Sequence, residues 1–330
     1  MKRTSVPQQQ SEGVDMSEDD GRFVWYELLT TDMPAANAFY RNVFGWQTQD
    51  ASSPSFAYNL FAAGESPVCG LMELPMEARK MGATPRWVGY VAVADLDASA
   101  ARLKRLGGAL YVPPTDSNIG RIAVVADPQT ADFALVEGLK LPPTKAAHEG
   151  CVGWHELSAA DAQTAFAFYG ELFGWQKAEA EPVGAVDYYQ LVSSGGRTIG
   201  GMFTKLRRAN YPSFWLYYFN VPDIGVTAKR VKAGGGRIVQ GAVDMPDGSS
   251  IIRCVDPQGA IFALQGARSA QDVDVAPTAE FGWAADWGGF ASRGRIVAKR
   301  KPDAMSPIKS EAKAQAAPPP KPRAPSKPKR

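Results

Sequence analysis

Short apolar runs, each closed by glycine, proline or aspartate, recur along most of the chain. The first, RFVWYELLT from Arg22 to Thr30, has the aromatic and β-branched content of a strand. Asp32 or Thr31 can cap a following helix, and Pro34 suits its first turn. Ala38, Phe39, Val43 and Phe44 give that helix an apolar face, and Gly45 stops it. Strands are predicted near 46–49, 56–62 and 68–73, followed by a connector over 74–85 containing Pro75, Gly82 and Pro85. The order then starts again, with a strand at 87–93, a helix from about 96 to 106 ended by Gly107-Gly108, and strands near 109–112, 121–126 and 132–136.

The whole series is present twice. WYELLTTDMPAANAFYRNVFGWQ (Trp25–Gln47) aligns without gaps with WHELSAADAQTAFAFYGELFGWQ (Trp154–Gln176) at an offset of 129. The same offset relates Asp127-Pro128-Gln129 to Asp256-Pro257-Gln258, and Phe133-Ala134-Leu135 to Phe262-Ala263-Leu264. In the second copy the connector falls near 205–213, Asp223 precedes a helix, and Gly234-Gly235-Gly236 follows it as a stop. The fold class is therefore α+β, with four βαβββ modules. One such module leaves a sheet face uncovered, so two pair into an eight-stranded open cup, and four make two cups. The concave apolar hollow of each is a natural place for a small molecule. The expected boundaries are a disordered N-terminus at 1–20, a first domain at 21–138, a linker at 139–150, a second domain at 151–268 and a basic tail at 269–330.

Composition narrows the chemistry. Three cysteines (Cys69, Cys151 and Cys254) at irregular spacing give neither a disulfide framework nor a CxxC site, which fits a reducing cytoplasm. No apolar run is long enough to span a bilayer. The net charge of +2 conceals a division, because Arg293–Arg330 carries twelve Lys/Arg against Asp303 and Glu311 and the rest is acidic. The tail is rich in Lys, Pro and Ala and is expected to be a solvated, disordered segment. Nucleic acid is accordingly not expected as a partner. Phe281, Trp283, Trp287 and Phe290 just before it could dock on the body or on a partner.

The strand–Asp–helix–FYxxxFGW pattern, with the late DPxxxxFAL strand, resembles the vicinal oxygen chelate superfamily of glyoxalases, bleomycin-resistance proteins and extradiol dioxygenases. Asp32, Phe39-Tyr40, Phe44-Gly45-Trp46 and Asp127-Pro128 carry the resemblance in the first unit. Asp161, Phe168-Tyr169, Phe173-Gly174-Trp175 and Asp256-Pro257 carry it in the second. The resemblance implies tandem glyoxalase-like domains. It also implies metal ligands on the first and fourth strands of each module, and here those positions fall at Trp25, Val88 and Ala134, and at Trp154, Leu216 and Ala263. None of these side chains binds a metal. Glu73 alone can occupy a fourth-strand position, with Thr204 as its counterpart, and an oxygen-only Mg or Ca site would have to draw on Glu27, Glu73 and Asp132. No metal and no cofactor is therefore expected. His155 directly follows Trp154, so it points to the other face of the strand, and it reads as a surface or edge residue.

If the superfamily register holds, Trp25 and Glu27 face the interior of the first cup and Trp154 and Glu156 that of the second, with Val88 and Tyr90, and Leu216 and Tyr218, opposite them. The tryptophans read either as core or as a stacking floor, and the glutamates as backbone anchors or as functional carboxylates. Tyr40 and Tyr169, with Phe39 and Phe168, read as helix-to-sheet packing. The expected function is metal-independent binding of a small organic ligand, flat or amphipathic, as in sequestration of a toxic or antibiotic-like compound. Trp25, Glu73, Val88, Tyr90, Trp154, Leu216 and Tyr218 would contact it, in a monomer or homodimer. One alternative is an enzyme of lyase, isomerase or oxygenase type using Glu27 or Glu156 as acid or base. The other is a scaffold acting through its aromatic-basic C-terminus.

Overall fold

In a computed structural model of the chain, the described residues are 19–54, 56–142, 148–177, 188–192, 196–205, 211–245 and 247–268. Residues 1–18 of the expected N-terminal segment and the basic tail, with Phe281, Trp283, Trp287 and Phe290, lie outside them, while Asp20 of that segment accepts from the Ala94 N–H at 2.9 Å. The first unit runs β1 (Phe23–Thr30), α1 (Met33–Phe44), β2 (Gln47–Asp50), β3 (Tyr58–Ala63), β4 (Ser66–Glu73), α2 (Met76–Lys80), β5 (Arg86–Ala92), α3 (Leu96–Arg105), β6 (Ala109–Asp116), β7 (Arg121–Ala126) and β8 (Asp132–Glu137). The second runs β9 (Val152–Ala159), α4 (Ala162–Phe173), β10 (Gln176–Lys177), β11 (Tyr188–Val192), β12 (Thr198–Thr204), β13 (Phe214–Asp223), α5 (Ile224–Ala233), β14 (Arg237–Asp244), β15 (Ser250–Val255) and β16 (Ile261–Ala267). Only α2, one turn inside the 74–85 connector, has no counterpart in the sequence pattern. Four of these five helices start where a carboxylate can satisfy an orphan amide: Asp32, Asp95, Asp161 and Asp223 accept from the backbone N–H groups of Ala35, Ala98, Thr164 and Val226. Each such cap stabilises its helix by roughly 1 kcal/mol.

Each unit builds its own eight-stranded sheet, in the orders β2-β3-β4-β1-β5-β8-β7-β6 and β10-β11-β12-β9-β13-β16-β15-β14. Modules thus pair within a unit. The junctions are the antiparallel pairs β1–β5, with Trp25 opposite Tyr90 and Glu27 opposite Val88, and β9–β13, with Trp154 opposite Tyr218 and Glu156 opposite Leu216.

One apolar core serves both units. Helix α1 packs its Phe39 and Phe44 on Phe262 and Phe219 of the second sheet, while α4 packs Tyr169 and Phe173 on Phe133 of the first. A side-chain Cβ at Gly234 or Gly236 would meet the Phe39 ring at 2.8 and 2.9 Å, so two of the three glycines after α5 make room for the other unit and do more than end the helix. The tyrosines expected to pack helix on sheet also bond across the units: Tyr40 Oη donates to Asp256 at 3.0 Å and Tyr169 Oη to Asp127 at 3.2 Å. Trp87 and Trp215 Nε1 in turn donate to those hydroxyls. The opposite face of each sheet carries a separate smaller cluster, and every predicted site residue except Glu73 gathers there.

Candidate functional site

Strand alternation decides the two faces. On β1, Tyr26 and Leu28 enter the shared core, and Trp25 and Glu27 turn outward into the first cup. There Tyr58 Oη donates to Glu27 Oε1 at 2.6 Å, Tyr90 Oη donates to Oε2, and Trp25 Nε1 donates to Tyr58 Oη at 3.2 Å. Burial raises the Glu27 pKa, and the three donors partly counter that rise. Burial and the adjacent carboxylate both push the two phenols upward, so they stay protonated. This cup is full. Trp25 and Ala134 are 0% exposed, Val88 2%, and Tyr90 and Glu27 4%. Ile119, Leu139 and Leu141 pack over the cluster, with Lys140 N–H bonded to the Ile119 carbonyl.

The second cup repeats the frame with different chemistry. Arg253 on β15 stands where the offset of 129 places Val124 in the first unit. Its Nη2 donates to Glu156 Oε1 at 2.6 Å and to Tyr218 Oη at 2.7 Å, its Nε donates to Tyr218 Oη at 3.0 Å, and its Nη1 donates to Gln240 Oε1. Tyr218 Oη donates onward to Glu156 Oε1 at 3.0 Å. Burial works against the Arg253 charge, but Glu156 and Tyr218 outweigh it and the guanidinium is held charged. Leu216 is buried beside this cluster, while Trp154, Phe214 and Ile251 are only half-buried around it. At one end of the face lies an open cleft of about 420 Å³, lined by residues that include Asn220, Asp247, Gln265 and Glu149.

Two predicted placements are corrected. Glu73 does not line the first cup. Leu71 of its strand faces the shared core, and Glu73, two residues on, shares that side, where it is exposed and bonded to Arg79 at 2.6 Å. His155 is not a surface residue. It points away from the cup as alternation requires, but that direction leads into the inter-sheet core. There it is 6% exposed, stacks on Phe23 at 4.3 Å and bonds Tyr26 Oη at 2.6 Å. Its Nδ1–H donates to the Ile199 carbonyl, which leaves Nε2 as acceptor for Tyr26. Desolvation lowers its pKa to about 4.

The residues do not fit the metal that the family implies. The cup-facing positions carry indole, isopropyl, isobutyl and methyl groups, none of them a donor. The three carboxylates of the oxygen-only alternative are dispersed: Glu27 is bonded to phenols, Glu73 to Arg79 and Asp132 to Arg86. Among the described residues no three His, Cys, Asp or Glu side chains converge.

Sequence reasoning missed Arg253, Tyr58, and the cross-unit bonds of Tyr40 and Tyr169. Arg253 carried a usable signal, since an arginine inside a strand pattern, where the first copy has valine, requires a buried partner. Tyr58 carried none, because its partner lies 31 residues back across a register the sequence does not reveal.

Comparison with known proteins agrees with this architecture. The model of the Glyoxalase/Bleomycin resistance protein/Dioxygenase superfamily matches residues 22–135 and 152–264. CFP32 of Mycobacterium tuberculosis, provisionally designated a glyoxylase, is 30% identical over 244 residues, 73% of this chain and 92% of that protein. The anthracycline biosynthesis protein DnrV of Streptomyces peucetius is 32% identical over 126 residues, 38% of this chain and 45% of that one. Among solved structures, the Mn(II)-bound glyoxalase of Novosphingobium aromaticivorans superposes with a TM-score of 0.54 at 15% identity, covering 79% of this chain and 95% of that one. A homoprotocatechuate 2,3-dioxygenase variant from B. fuscum gives 0.53 at 14%, covering 78% and 75%. At these identities the structural likenesses speak to fold alone. No helix among the described residues is long and apolar enough to cross a membrane.

Proposed function

The chain belongs to the Glyoxalase/Bleomycin resistance protein/Dioxygenase superfamily, and from that premise we propose that it binds a small organic molecule on the second cup, without a metal ion. The observation that carries this reading is the contrast between the cups. The first holds Trp25 fully buried among its own side chains, whereas in the second the counterpart Trp154 is only half-buried and a cleft opens at one end of the same face. Trp154 offers a flat apolar surface, and the Arg253–Glu156–Tyr218 cluster supplies a fixed polar floor. Trp25, Val88 and Tyr90 are then packing residues, and Leu216 and Tyr218 support the ligand face. Glu27 is sealed from substrate, and Glu156 acts as counter-ion to Arg253, so neither is assigned proton transfer.

The test is made on full-length protein purified without chelators. Elemental analysis and native mass spectrometry are expected to show no stoichiometric divalent ion, and a co-purifying organic mass that Trp154→Ala releases. A stoichiometric metal, or a bound mass indifferent to Trp154→Ala, would overturn the reading.

A further inference from the structure

The cleft lies where the two units diverge position by position. Ala92 pairs with Val136 in the first sheet, and Asn220 pairs with Gln265 at the same place in the second. Likewise Val24, Ile119 and Leu139 of the first unit become Gly153, Gly248 and Arg268 at the offset of 129. In the first unit all five of these residues belong to the apolar cluster that closes the cup. Among the described residues of the second unit those five apolar side chains are replaced, and a cleft of about 420 Å³ lies among their counterparts Asn220, Gly248 and Gln265. The Asn220 side chain lies over Gly153, where a Cβ would sit 2.4 Å from its Oδ1, so the glycine gives the amide its room. Asn220 Nδ2 donates to the His148 carbonyl, and Gln265 Nε2 reaches Ser249 Oγ at 3.5 Å. Glu149 and Asp247 stand on the rim. Bonds from Ser249 hold the Asp247 pKa below the usual carboxylate range, so it is ionised at neutral pH.

We infer that this cleft is a subsite for a protonated amine on an aromatic or otherwise flat ligand. The inference rests on the second cup being the ligand site and adds the class of ligand. Asn220 and Gln265 lie two residues beyond Tyr218 and Ala263 on the same strand faces, which sets the amine about 7 Å from the flat group stacked at Trp154. The amides accept from the ammonium and the two rim carboxylates supply the counter-charge. An anionic group would meet the same carboxylates unfavourably, while Arg268, outside the lining of the cleft, is paired with Asp244 at 3.7 Å.

The experiment uses 3-phenylpropylamine, 3-phenylpropanamide and 3-phenylpropanoate as probes of one shape and three charges, titrated against the full chain by ligand-observed NMR. The amine is expected to bind at least tenfold more tightly than the carboxylate, with the amide between them. Glu149→Gln/Asp247→Asn, which alters only exposed loop residues, is expected to bring amine and amide within twofold. Asn220→Ala/Gln265→Val, which restores the residues of the first unit, is expected to weaken the amine at least fivefold. Equal or tighter binding of the carboxylate, an amine preference unmoved by the charge-neutral pair, or no amine binding at millimolar concentration would each overturn the inference. If Trp154→Ala abolishes amine binding while Asn220→Ala/Gln265→Val leaves it intact, the amine subsite fails and the second cup still stands as the ligand site.

Discussion

His155 shows how a single residue ties stability to pH. Its imidazole titrates near 6.5 in an unfolded chain and near 4 in the folded one, because the inter-sheet core withholds water from the charged form. Between those values the unfolded chain binds a proton that the native state refuses, so stability falls as pH drops through that window. The full span is worth about 3 kcal/mol. Glu27, Asp127 and Asp256 act with the opposite sign, since burial raises their pKa and the folded state holds their protons longer. The His155 contribution is therefore isolated by difference: urea unfolding of the wild type and of His155→Gln from pH 7 to pH 4 should diverge, with the variant losing less stability on acidification. Parallel profiles would refute the assignment. The buried pair in the second cup makes a second case. Arg253→Met leaves the Glu156 carboxylate uncompensated and should cost about 3–5 kcal/mol, and Glu156→Gln added to it should recover part of that loss in a double-mutant cycle. That Trp25 and Glu27 share one side of their strand, and Trp154 and Glu156 one side of theirs, was legible from alternation, whereas the side that forms the cup came only with the superfamily register. The partners were not legible, since Tyr58, Gln240 and Arg253 arrive from strands whose register only the folded sheet defines.

At the scale of elements, the repeat was the most legible feature, since α1, α3, α4 and α5 each begin at an aspartate cap. What the pattern concealed was the contact between repeats. Tyr26 and Gly89 are paired on the first sheet, and His155 and Tyr217 hold the same places on the second. Across the interface Tyr26 meets His155, and Gly89 meets Tyr217, whose hydroxyl accepts from Gly89 N–H at 2.8 Å. Each residue thus faces its own counterpart, as happens along a two-fold axis. In a pair of identical units such a position must suit itself. In a duplicated chain the two copies can differ, one bulky and one bare. A Cβ at Gly89 would lie 2.7 Å from the Tyr217 ring and 2.8 Å from the Phe23 ring, so Gly89→Ala should destabilise by about 1–3 kcal/mol, and Tyr217→Ala in the same chain should relieve the part of the clash that Tyr217 makes. Thermal unfolding of both variants measures it, and additive effects would contradict the contact. The reciprocal Tyr40–Asp256 and Tyr169–Asp127 bonds obey the same geometry. They give the aspartate of each Asp-Pro turn a second task beyond bonding its own turn amides.

The whole molecule follows from those contacts. An isolated first unit would present Phe39, Tyr40, Phe44 and Trp46 to water, because their partners include Phe219 and Phe262 of the second. The second would expose Phe173, Trp175 and His155 in the same way, since these pack on Phe133, Phe23 and Tyr26. Each large aromatic returned to water forfeits about 1.5–3 kcal/mol, so a handful of them is comparable with the entire stability of a small domain. The two cups are therefore free to diverge on their outer faces while their inner faces remain interdependent. The first unit then acts as half of the scaffold on which the second sheet is held. Cutting the chain between residues 142 and 148 tests this dependence directly. Residues 1–142 or 148–330 produced alone should show no cooperative unfolding transition. Co-expressed, they should assemble one-to-one, with a melting temperature that rises with concentration because the linker no longer supplies its millimolar effective concentration. A single half that unfolds cooperatively as a monomer would mean that each unit closes its own core, and the shared layer between the sheets would lose its energetic role.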